Sequence, residues 1–238
     1  MRALLVLLCL VSVCTAQGKL DPSKWPGCIG AWNAHTSQLT DNSLSANDGT
    51  NYTPIRVAVN AGSYFAGYTT TSTNVIVLKN KNALIAVSVS VWVKTSTTAI
   101  QGPITCYNCA SFPGFALFVN YPTATKWGFF VGTAWGTGST KVINNGAWHH
   151  LAATAAANVT TYYVDGVLDT TEAATINFSS GMYSNHIINV GAFIVTPPTV
   201  ANDNCGQISP TENMDELYLF DRAITAFEVS QLYNAYHP

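Results

Sequence analysis

The chain has 238 residues, of which only 9% are charged, and 10 Lys and Arg stand against 12 Asp and Glu for a formal net charge of −2. A balance this sparse and slightly acidic argues against nucleic acid and anionic membrane surfaces as partners, because both call for clustered Lys and Arg. The polar surface must instead be built from Ser, Thr, Asn and Gly, whose hydroxyls and amides suit neutral, hydroxyl-rich ligands.

At the start of the chain, Met1-Arg2 is followed by an apolar run from Ala3 to Val13 and by the small residues of Cys14-Thr15-Ala16. That is the pattern of a signal peptide over residues 1–16, and it predicts a secreted, extracellular protein. Neither this run nor any later one reaches the roughly 20 apolar residues that span a bilayer, so no membrane insertion is expected. Residues 17–27, with two prolines and two glycines, read as an exposed lead-in. Residues 28–238 are then of a size that suits one all-β sandwich.

Within that domain Ile85 to Lys94 alternates strictly, Val87, Val89, Val91 and Val93 on one face against Ser88, Ser90 and Trp92 on the other. Further strands are predicted at Phe115 to Asn120, Lys126 to Gly132, Trp148 to Thr154, Val159 to Asp165, His186 to Phe193 and Met214 to Phe220, separated by Gly, Asn and Pro clusters. Asp165-Gly166 supplies the two positive φ angles of a type I′ turn and predicts a tight hairpin onto Val167-Leu168. Near the end, Thr225 and Glu228 form a capping box, Ile224 staples onto Val229, and Val229, Leu232 and Tyr233 share one face of a helix of a turn or two. Many short strands with regular turns predict an all-β, two-sheet antiparallel sandwich carrying this short C-terminal helix.

Four cysteines remain after the signal peptide. In an oxidising compartment they admit three pairings, of which Cys28–Cys205 with Cys106–Cys109 ties the ends of the domain and closes a local loop. Asn51, Asn158 and Asn177 head glycosylation sequons.

Several stretches together resemble the laminin G-like branch of the concanavalin A-like lectin/glucanase superfamily. They are Trp148-His-His-Leu with Tyr163-Val-Asp-Gly, the Asp41 to Gly49 loop, Val89-Ser-Val-Trp-Val-Lys94, Ile188-Asn-Val-Gly191 and Met214-Asp-Glu-Leu-Tyr-Leu-Phe-Asp-Arg222, and they occur in the family's order. The resemblance implies a jelly roll with one concave sheet and members that mostly bind glycans or matrix proteins. It also implies a structural calcium ion, for which Asp41, Asn47 and Asp48 offer hard oxygen ligands. Asp215 joins that set: alternation places it on the face of Leu217 and Leu219, where a carboxylate needs a cation or several donors. A hydrogen-bonded structural aspartate is the alternative.

Adjacent His149 and His150 point to opposite faces of a strand and cannot share a metal. A glucanase of the laminarinase type carries Glu-x-Asp-x-x-Glu, and the sequence contains no such run, which leaves glycoside hydrolysis behind as a function. For sugar binding, Trp135 in a Gly- and Thr-rich stretch is the expected aromatic platform, with Tyr183, Asn185 and Tyr121 on further loops, while Trp32, Trp92, Trp127 and Trp148 are assigned to the core. The reading is a non-catalytic recognition module for an extracellular glycan or glycoprotein, alternatively an adhesive protein acting through protein contacts, and in third place a glycoside hydrolase. Its oligomeric state is not encoded.

Overall fold

The computed structural model describes residues 21–32, 42–44, 49–50, 56–59, 62–66, 75–77, 84–106, 114–132, 136–173, 187–190 and 213–236. Trp135, Tyr183, Asn185, Asp41, Asn47, Asp48, Cys109, Cys205, Asn51 and Asn177 lie outside these residues.

Fourteen described strands form two antiparallel sheets, as the patterning predicts. In chain order they are β1 (Cys28–Trp32), β2 (Gly49–Thr50), β3 (Arg56–Val59), β4 (Gly62–Ala66), β5 (Val75–Val77), β6 (Ala86–Lys94), β7 (Gln101–Cys106), β8 (Phe115–Val119), β9 (Trp127–Val131), β10 (Trp148–Ala156), β11 (Val159–Val164), β12 (Val167–Ala173), β13 (Ile187–Val190) and β14 (Asn213–Phe220). One sheet runs β12-β11-β10-β6-β14-β4-β3, and β1 takes the rest of the β14 edge; the other runs β2-β5-β13-β7-β8-β9. Helix α1 spans Ala226–Ala235, longer than the turn or two expected.

The alternation of β6 decides how the layers stack. Val87, Val89, Val91 and Val93 are fully buried in the main core with Leu117, Val119, Trp127, Phe129, Leu151 and Leu219. Each such side chain contributes about 1.5–3 kcal/mol of transfer free energy. The opposite face of the same sheet, with Ala152, Tyr163 and Phe220, is closed by Ile224, Val229 and Leu232 at and around α1. Both members of the expected staple, Ile224 and Val229, are therefore buried, and the Thr225–Glu228 capping box is formed. Trp32, Trp92 and Trp127 are buried as expected, while Trp148 is only partly so.

From Asp21 onward the lead-in is partly packed, with Asp21, Lys24 and Pro26 exposed as expected. Asp21 caps a short 3₁₀ turn over Pro22–Lys24, Pro22 and Ser23 are buried, and the Trp25 ring lies 6.2 Å from that of Phe220. The Pro and Gly content signals a turn, and that turn docks against β14 and the residues that follow it: Arg222 donates to the Pro26 carbonyl at 2.7 Å.

Candidate functional site

The two halves of the hairpin motif are hydrogen-bonded to each other. Asp165 and Gly166 take φ values of 53° and 76°, the positive angles that a type I′ turn demands. The Asp165 carboxylate accepts the His150 amide at 2.9 Å and faces His149 Nδ1 at 3.0 Å, while the Asp165 amide donates to the His150 carbonyl at 2.8 Å. Burial pushes the Asp165 carboxyl up, but the bonds from His149 and His150 outweigh it and hold the group below the usual carboxylate range. His149 Nε2 faces Asn145 Oδ1 at 3.0 Å, and that oxygen also accepts the Ala147 amide at 2.9 Å. His150 is buried on the other face with its Nε2 at 2.8 Å from Ser90 Oγ and its ring 5.4 Å from Trp92. The histidines thus diverge as expected, and the motif is a latch between strand and turn.

Asp215 is fully buried, but on the face opposite to the one that alternation assigns. Glu216 adopts φ 49° and the β14–β6 register shifts between Asp215 and Tyr218, a bulge that inserts one residue. Met214, Leu217 and Leu219 consequently share the main core, while Asp215 turns toward the helix side, where Tyr236 donates to its Oδ2 at 3.0 Å and the Glu216 amide to its Oδ1 at 2.9 Å. These donors match the structural-aspartate alternative. Among the described residues no cluster of three or more His, Cys, Asp or Glu is arranged to hold a metal.

Tyr121 is half-exposed at the head of a turn between β8 and β9, joined to Pro122 by a cis peptide. Buried Asn120 fixes this turn: its Nδ2 donates to the Thr97 and Ala99 carbonyls at 2.9 and 2.8 Å, and its Oδ1 accepts the Thr125 amide at 3.2 Å. The Tyr121 ring meets Phe118 edge-on at 5.8 Å. Tyr121 and Pro122 border a shallow groove with Phe118, Gly128, Phe130 and Gly136. Glycine is required where the walls close: a Cβ on Gly128 would lie 3.0 Å from Pro122 Cδ and the Tyr121 carbonyl, and Gly138, at φ +75°, would place one 2.6 Å from the Trp127 carbonyl.

The far wall is the segment from Gly136 to Lys141, and two carboxylates on β12 hold it. Glu172 Oε2 accepts the Thr137 amide at 2.6 Å, the Thr137 hydroxyl at 2.9 Å and the Gly138 amide at 3.3 Å, and its Oε1 accepts the Tyr162 hydroxyl. Asp169 Oδ2 accepts the Ser139 hydroxyl at 2.6 Å and the Thr140 amide at 2.8 Å, and its Oδ1 accepts the Thr140 hydroxyl. Against the upward push of burial, these donors hold the Asp169 carboxyl below its ordinary range. Burial, with Glu172 adding to it, raises the Tyr162 phenol above its own.

Sequence reasoning missed this clamp, because residues three apart on a strand face opposite ways. A bulge opposite Tyr162 and Tyr163 inserts Asp169 between the paired Leu168 and Thr170, and so lets both carboxylates reach one loop. Trp135 directly precedes the clamped segment. Of the other expected positions, Asn158 is exposed in a turn at φ 64°, and Cys28 is buried at the start of β1.

Residues 65–230 match the family model described as the concanavalin A-like lectin/glucanases superfamily. Among solved structures, the binding domain of Paraclostridial Mosquitocidal Protein 1 has a TM-score of 0.59 at 14% identity, over 88% of this chain and 52% of that one. A structure of botulinum neurotoxin type C, whose cell entry depends on interaction with two ganglioside molecules, has a TM-score of 0.62 at 12% identity over 88% and 51%. The binding domain of botulinum neurotoxin DC in complex with rat synaptotagmin II has a TM-score of 0.59 at 12% identity over 88% and 51%. At these identities the likeness establishes the lectin-like fold, and the chain spans about half the length of the solved structures it matches. No curated protein gives a significant match.

Proposed function

Since the chain belongs to the concanavalin A-like lectin/glucanase superfamily, we propose that it is a secreted, non-catalytic recognition module that binds extracellular carbohydrate along the rim between Tyr121 and the Gly136–Lys141 loop. The observation that carries this reading is the hydrogen bonding of that rim. Asn120 holds Tyr121 in place and seven hydrogen-bonded donors fix Asp169 and Glu172, so an aromatic ring stands near positioned Thr137 and Thr140 hydroxyls that keep lone pairs to accept from a ligand. Sugars bind such surfaces by stacking their C–H faces on rings while hydroxyls find polar partners, and pre-ordering lowers the entropy cost of binding. In this reading Trp135, adjacent to the clamped loop in sequence, supplies a second ring, and Tyr183 and Asn185 are further candidates to contact the ligand.

The clamp also argues against hydrolysis. Asp169 and Glu172 are committed to loop donors, whereas a glycosidase needs a carboxylate pair directed at substrate. Glu216 is buried and accepts the Tyr218 hydroxyl.

A glycan array with the full chain tests the proposal: saturable binding to at least one neutral glycan is expected, reduced about tenfold in Tyr121→Ala and in Trp135→Ala. An array silent for wild type, or binding unchanged in both variants, overturns it, and so does reducing-sugar release from any polysaccharide. Adhesion through protein contacts is the second reading, favoured by Val167 and Leu168, which are 68% and 55% exposed on the edge strand β12, and by the protein receptor bound to the neurotoxin DC domain.

A further inference from the structure

A second cleft, of about 290 Å³, opens where the lead-in meets β14, with no lining residue in common with the Tyr121 groove; Asp21, Ser23, Lys24, Ala31, Asn42 and Tyr218 line it. Its fixed parts are plain: Ser23 donates through its amide and hydroxyl to Asp21 Oδ1 at 3.1 and 2.6 Å, Lys24 Nζ donates to the Asn42 carbonyl at 2.5 Å, and Tyr218 donates to buried Glu216. Among the described residues, Asp21 Oδ2 and Asn42 Oδ1 are left over as acceptors for a ligand and the remaining Lys24 N–H groups as donors. A cation entering here meets the Lys24 ammonium, and a phosphate meets the Asp21 carboxylate with Glu216 behind it. A neutral molecule whose hydroxyls both donate and accept satisfies both kinds of group at once.

We propose that this cleft is a second binding site, separate from the Tyr121 rim, for one residue of a neutral polyhydroxylated ligand such as a hexose unit. It extends the carbohydrate reading to a different place on the molecule, and each site can fail alone.

The test is saturation-transfer NMR and calorimetry on the full chain with a panel of neutral hexoses and N-acetylhexosamines, alongside inorganic phosphate and calcium chloride. At least one neutral sugar is expected to occupy the cleft, read as shifts of the Lys24 and Asn42 amides, about tenfold more weakly in Lys24→Ala and in Asn42→Ala, the loss of one hydrogen-bonding group, and with those cleft shifts retained in Tyr121→Ala whatever that variant does to the rim. Melting curves of the cleft variants report their folding, and amide shifts of Lys24 and Asn42 in the wild type report site occupancy without any substitution. The cleft proposal is overturned if no neutral sugar shifts those amides, if the shifts around the cleft survive undiminished in both cleft variants, or if phosphate or calcium shifts them instead. Loss of those shifts in Tyr121→Ala alone overturns the cleft and leaves the rim standing; loss in the cleft variants with a rim variant unaffected on the array upholds the cleft and overturns the rim.

Discussion

Asp165 shows how one residue carries two jobs that a sequence displays as one. Its backbone supplies a positive φ for the turn, and its carboxylate ties that turn to the His149 side chain and the His150 amide. Asn in its place keeps the turn but loses the charge; Ala loses both. Asp165→Ala is expected to destabilise the domain by about 1–3 kcal/mol in urea melts, with Asp165→Asn falling between it and wild type. Because the folded-state pKa is depressed, this contribution is complete above the ordinary carboxylate range and fades as pH drops below it. A wild-type advantage over Asp165→Asn that persisted unchanged at the acid end would refute the latch. The turn was readable from Asp-Gly alone, whereas the latch was not, since nothing in the order of residues says which donor a carboxylate will meet.

At the scale of elements, strong periodicity made β6, the β10–β11–β12 hairpins and α1 readable. Other strands lack that signal: β7 carries Gly102 and Pro103, and β1 buries all five residues, Ile29 and Trp32 in the main core and Cys28 and Ala31 under the helix, so no alternation exists to find. Bulges are the second blind spot. One extra residue at Glu216 and another at Asp169 reversed the predicted face of Asp215 and created the loop clamp. Helix α1 tests the local rules most directly. Glu228 accepts from Arg222 at 2.5 and 3.0 Å and from Thr225 at its amide and hydroxyl, and these bonds, against burial, lower its carboxyl to about 2. Thr225→Ala is expected to cost about 1 kcal/mol by thermal melting. The helix contribution from Glu228 is present in full above the usual glutamate range and is lost as pH falls toward 2, so hydrogen exchange in α1 should accelerate over that interval in wild type and not in Glu228→Gln.

For the molecule as a whole, the expectation of structural calcium at Asp41, Asn47 and Asp48 has a direct test. A bound ion stabilises only the folded state, so an excess of chelator should lower the melting temperature by several degrees and added calcium should restore it. An unmoved curve removes the metal, in keeping with an Asp215 already supplied with donors. The sandwich itself survives either outcome, since its layers rest on apolar contact between sheets. One more property follows from β1 lying beside β14. Asp21 and Tyr236, the outermost described residues, both sit within reach of the same strand, one lining a cleft with Tyr218 and the other bonded to Asp215. Both outer described segments are thus fastened to β14, so a substitution that disturbs this one strand should loosen the 3₁₀ turn and the end of α1 together.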